Sequence, residues 1–286
     1  MVTRLIASVL VGVLVFAFAV PIGAIDASRA SMSLEQRLQA FDQKVQEIEA
    51  AGGIYTDADI QELEALVSIE ELKFDTKRKV EEELNNQLAQ NSLTRTSTVN
   101  LGTNAYFTDA DYKYDWISRS GLVVNQGKSS VNLSMKSAEV YSYLRGGVYG
   151  SEAVGVYLGK KFTVVGSNSQ SANISMLGIH GGSLASFVAG SSTADIDIEL
   201  VVKNINNGVE WSTKILSASR SFGSWPYNLT TYNKGVQLNL QAGHSYYVYV
   251  KIIAGTAMSA LGGQVESAWG YDPNRIVTYA SISVTF

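Results

Sequence analysis

Asp195-Ile196-Asp197-Ile198-Glu199-Leu200 alternates acidic and apolar side chains without a fault, and Asn206-Asn207-Gly208 follows it. Successive side chains of a strand point to opposite faces, so the pattern predicts a strand with one wet and one buried face. Asn-Gly is a favoured pair for a tight hairpin turn, and Val209, Trp211, Thr213 and Ile215 carry the return strand. The same period of two runs through Val236–Leu240, Tyr246–Ile253 and Ile276–Phe286. Short strands punctuated by Gly and Asn predict a mainly β domain over residues 96–286, an antiparallel β-sandwich of jelly-roll type.

A β-barrel is the alternative, because an apolar exterior and a polar lumen give the same alternation. The final strand, with apolar residues at every second position before Phe286, resembles the closing strand of an outer-membrane barrel. The doubled apolar pairs Val164-Val165, Val201-Val202 and Ile252-Ile253 favour a sheet covered on both faces.

The chain before residue 96 has a different character. Residues 1–30 join Arg4, an uncharged run from Leu5 to Val20, Pro21, and small residues at Ala24, Ala27 and Ala30. That is the pattern of a secretory signal peptide. An uncleaved anchor is the other reading, since about 20 apolar residues span a bilayer. Either way the remainder is expected outside the cytoplasm, secreted or at the cell surface, or in the outer membrane if the β domain is a barrel.

Residues 31–95 hold 14 acidic and 7 basic side chains, against 11 and 13 in residues 96–286. The charged segment reads as a two-helix hairpin or short coiled-coil stalk. Ser33 and Gln36 form a capping-box pattern. Leu34, Leu38, Phe41, Val45 and Ile48 make an a/d stripe, and Gly52-Gly53 ends the helix. A second helix is expected from Thr56 unbroken to Gln90, apolar on more than one side, which calls for two neighbours. Self-association through these helices would make a homo-oligomer. Lys77-Arg78-Lys79 ahead of Glu81-Glu82-Glu83 reads as i,i+4 pairs on a solvated face. Asn91–Ser97 reads as the linker.

The 286 residues contain no cysteine, and Lys plus Arg number 22 against 26 Asp plus Glu. A disulfide framework, a thiolate metal site and a Cys nucleophile are therefore excluded, and the net charge of −4 gives no support for a nucleic-acid partner. No Gly-x-Ser-x-Gly or His-Glu-x-x-His occurs, and His180 and His244 read as turn residues, so no enzyme and no cofactor are expected. Two acidic groups could contribute to the several oxygen ligands that Ca²⁺ takes: Asp109, Asp111 and Asp115, and Asp195, Asp197 and Glu199. The wet face of an amphipathic strand explains the second group more simply, and the first lacks the turn Gly and the bidentate Glu of an EF-hand loop. Exposed aromatics stack on sugar rings and build protein interfaces. Trp116, Trp225, Tyr227 and Trp269 are the candidates, with Ser221–Asn228 expected as a loop. Asn132, Asn173 and Asn228 begin sequons.

The sequence thus points to an exported, non-enzymatic binding or structural protein that presents a β head to a glycan, a surface protein or its own copies. A membrane is a partner only with an uncleaved leader or a barrel. An outer-membrane channel is the first alternative. A secreted pore-former, drawing on the Ser-rich stretch Ser171–Ser192, or a hydrolase is the second.

Overall fold

The computed structural model describes residues 31–53, 56–90, 97–188, 190–260, 262–269 and 276–286. The signal-peptide reading of residues 1–30 and most of the expected linker lie outside the described residues.

Among the described residues three helices come first: α1 Leu34–Ala50, α2 Asp57–Leu66 and α3 Ile69–Gln90. Ser33 and Thr56 cap α1 and α2, each in a reciprocal box with Gln36 or Asp59. The expected unbroken second helix is corrected. Val67 adopts an extended conformation, and Ser68 caps α3, its hydroxyl receiving Glu71 N–H at 3.3 Å while Glu71 accepts Ser68 N–H at 2.9 Å. Arg37 then grips Glu71 with both guanidinium nitrogens, at 3.0 and 2.7 Å, and Leu66 O at 3.1 Å. A break there explains the two apolar faces. Leu63, Val67 and Leu72 meet Phe41, Val45 and Ile48 of α1, while Val80, Leu84 and Leu88 turn toward the strands.

Twelve strands follow among the described residues. They are β1 Ser97–Asn100, β2 Ala105–Phe107, β3 Tyr112–Asn125, β4 Lys128–Asn132, β5 Ser137–Val165, β6 Ser169–Val188, β7 Ser191–Asn204, β8 Glu210–Arg220, β9 Gly223–Gln241, β10 Ser245–Ala260, β11 Gly263–Trp269 and β12 Val277–Thr285. The first part of β5 pairs with β4 and β11 and its second part with β3 and β10, so one long strand serves two layers. The first layer runs β3-β5-β10-β7-β8. The second places β6 between β9 and the successive strands β11 and β12, with β2 beyond β12. The path ends at β2 and β8 without closing. This is a sandwich, and the barrel alternative does not hold.

Val156, Ile198, Leu200, Val250 and Ile252 of the first layer face Ile174, Met176, Leu184, Trp269 and Ile282 of the second. Burying each such side chain stabilises the fold by about 1.5–3 kcal/mol. The outer face of the first layer is also apolar. Tyr112, Tyr114, Tyr157, Val201, Tyr247 and Tyr249 pack beneath Val80, Leu84 and Leu88 of α3. The doubled pair Val201-Val202 therefore serves two cores, Val201 under the helix and Val202 between the sheets. The α1 stripe packs within the chain: Phe41, Val45 and Ile48 meet Leu122 and Tyr149 of the sheet.

Candidate functional site

The expected sites fall in three places. Lys160, its side chain 4% exposed, puts Nζ 2.6 Å from Asp109 and 2.8 Å from Asp111. Burial alone would lower the lysine, but these carboxylates hold its pKa above the ordinary value. Asp115 accepts from Ser129 Oγ at 2.6 Å. Lys77 reaches across from α3 to Asp195 at 3.1 Å and Asp197 at 2.6 Å, and Lys251 lies 3.0 Å from Glu199 and 2.7 Å from Glu81. The acidic face of β7 thus docks the helix through ammonium groups. Burial works against charge on Asp197, yet Lys77 outweighs it and holds the carboxyl below its usual range. Of the expected i,i+4 pairs only Arg78–Glu82 forms among the described residues, at 2.6 Å. No group of three or more potential metal-ligating His, Cys, Asp or Glu occurs among the described residues.

The aromatic candidates separate. Trp116 on β3 is exposed. The segment Ser221–Asn228, expected as a loop, enters β9 at Gly223. Pro226 is tolerated because β9 pairs only with β6 among the described residues, and an edge strand needs fewer donors. Trp225 stands opposite Leu184 and Tyr227 opposite Gly182, both on the inner face. Arg220 lies 5.7 Å from the Trp225 ring, and Tyr227 packs on the fully buried Trp269 with centroids 5.4 Å apart. A Cβ on Gly182 would strike the Trp269 ring, so glycine makes room for the indole. His180 stacks on Tyr232 and lies tilted against Trp269, and burial lowers its pKa; it is a core residue of β6, not a turn. Asn132, Asn173 and Asn228 are all exposed.

A different site emerges where the two layers meet at their edges. Strands β8 and β9 pair only with β7 and β6 among the described residues. Between them opens a cleft of about 480 Å³ lined by Ser171, Asn204, Asn207, Val209, Trp211, Gln237, Leu238, Asn239 and Gln241. Period two puts Gln237, Asn239 and Gln241 on the exposed face of β9 and turns Leu238 inward. Trp211 lies opposite Val202, half-buried against the main core. The Asn-Asn-Gly turn forms as expected: Gly208 takes φ +75°, and Asn207 Oδ1 accepts Val209 N–H at 3.0 Å.

The cleft wall is fixed by a buried hydroxyl. Tyr246 Oη receives Asn204 Nδ2–H at 3.3 Å and Gln241 N–H at 3.0 Å, which ties β7 to the end of β9. Asn204 Nδ2 is also 3.0 Å from His244 Nδ1, and its Oδ1 accepts Asn206 N–H at 3.0 Å. An aromatic ring beside several planar amides suits a ligand with alternating hydroxyl and C–H surfaces. The sequence signal was present in Trp211 and the Gln237/Asn239/Gln241 alternation, but only the strand pairing joins them.

No family model matches the sequence, and no curated protein matches it. Among solved structures, the chain is similar to a family 35 carbohydrate binding module from Clostridium thermocellum, at 14% identity and TM-score 0.18, covering 64% of this chain and 97% of that one. It is similar to TmCBM61 in complex with β-1,4-galactotriose at 11% identity and TM-score 0.19, over 58% and 86% of the two chains. It is also similar to the family 11 module from Clostridium thermocellum in complex with a β-1,3-1,4-mixed-linked tetrasaccharide, at 11% identity and TM-score 0.21, over 64% and 95%. Superposition this slight carries no weight for ligand or site. Among the described residues no helix is long and apolar enough to cross a membrane.

Proposed function

We propose that this is an exported, non-catalytic glycan-binding protein whose ligand occupies the β8–β9 cleft. One observation carries the reading: half-buried Trp211 and the exposed amide residues Asn207, Gln237, Asn239 and Gln241 line one open cleft. The indole offers a flat apolar face for the C–H side of a sugar ring. The amides donate and accept, as hydroxyl groups require. No carboxylate lines the cleft, so the acid and base that glycoside hydrolysis uses are missing there. The leader pattern of residues 1–30 supports export. The helices act as a brace that covers the tyrosine-rich sheet face and leaves the far edge for ligand.

Native electrophoresis through gels containing individual soluble polysaccharides tests this. Retardation by at least one polysaccharide, relieved by Asn239→Ala with Gln237→Ala, supports the proposal. Unchanged migration in every gel, or retardation that the double variant leaves intact, contradicts it.

A further inference from the structure

We infer that the glycan is an electrically neutral chain held through its interior; this rests on the cleft being the glycan site. None of the residues lining the cleft carries an ionisable side chain. The uncharged surface also continues beyond it. Ser169, Ser171 and Asn173 on β6 stand opposite Gln241, Asn239 and Gln237, and Thr285 on β12 stands opposite Asn173. Lys234, the nearest charge on β9, is not among the residues that line the cleft. Lys203 is paired with Glu210 at 3.8 Å.

An acidic glycan would lose water from its carboxylates or sulfates on entering, with no cation in the cleft to replace it. Recognition of such anions uses Arg or Lys forks, which the lining lacks. Amides and one aromatic instead match the hydroxyls and C–H faces of an uncharged sugar. The form of the site bears on how the chain lies. Gln237 to Gln241 spans roughly 14 Å at about 3.4 Å per residue, longer than a single sugar ring. The cleft is open rather than an enclosed pocket, so a chain can enter and leave it without presenting an end.

Isothermal titration of the full chain tests this with four probes: glucose, cellotriose, mannotriose and an oligogalacturonate trimer, each at low and at ~0.5 M salt. Xylotriose and galactotriose extend the neutral set. The expected result is a neutral trisaccharide bound at least about tenfold more tightly than glucose. Its affinity should hold within about twofold across the salt range and fall several-fold in Asn239→Ala. Preferred binding of oligogalacturonate that weakens with salt and needs Asn239 overturns neutrality and leaves the glycan site standing. Glucose bound as tightly as the trisaccharides overturns interior binding alone. Binding of none of the probes, together with unretarded migration in every polysaccharide gel, removes the glycan site and this inference with it.

Discussion

Tyr246 and Asn204 face each other directly across β10 and β7, and the tyrosine hydroxyl accepts the asparagine amide at 3.3 Å. The same oxygen accepts Gln241 N–H from β9 at 3.0 Å, so one buried group positions both walls of the cleft. The ring beneath it stacks on Phe162 with centroids 5.7 Å apart.

Tyr246→Phe keeps that ring and removes the hydroxyl, leaving a backbone N–H and a buried amide short of an acceptor. Such a loss costs about 1–3 kcal/mol. Chemical denaturation should show it, and glycan affinity should fall with it. Unchanged affinity in a variant that has lost stability would separate the hydroxyl from the cleft.

Gly155 lies under α3 with no room for a methyl group: an added Cβ would strike Val80 Cγ1 and Leu84 Cδ1. Gly155→Val should therefore destabilise by about 1–3 kcal/mol through overpacking, lowering Tm by several degrees. An unchanged Tm would mean that the helix does not sit on the sheet as described.

The Tyr227 hydroxyl is buried with no hydrogen-bond partner among the described residues. Tyr227→Phe removes an unmet desolvation cost and keeps the contact with Trp269. Thermal melting should show equal or higher stability, by up to about 1 kcal/mol. A clear loss would reveal a partner for that oxygen.

Glu71 should contribute to acid unfolding. Its hydrogen bonds from Arg37, opposed by burial and helped by Ser68, bring its carboxyl down to about 2. A depressed native pKa adds stability that is complete above the unfolded value near 4.3 and is lost as pH falls toward about 2. Glu71→Gln should flatten the decline in denaturation free energy between those limits. A variant whose acid profile parallels the parent would contradict this role.

The strands were legible because alternation survives in β7, β9 and β12, and the doubled pair Val201-Val202 announced a sheet with two covered faces. The break before α3 was legible too, in Ser68 and Glu71, but a search for Gly or Pro passes over a Ser-x-x-Glu box. The acidic alternation in β7 looked solvent-facing because nothing local shows that Lys77, more than a hundred residues earlier, lies against it. Trp225 and Tyr227 were conspicuous beside Gly223 and Pro226, yet strand register turns both inward. The cleft escaped for the opposite reason. Asn204, Trp211 and Asn239 come from three strands, and only the meeting of two sheet edges gathers them.

The most direct test of the glycan site is side-chain amide NMR of the full chain titrated with cellotriose, mannotriose, xylotriose and galactotriose. The Nδ2 and Nε2 resonances of Asn207, Gln237, Asn239 and Gln241 and the Trp211 indole should shift together, saturably, with at least one of them. Saturable shifts centred on the Trp116 indole, with those cleft resonances still, would place the site elsewhere and contradict the account.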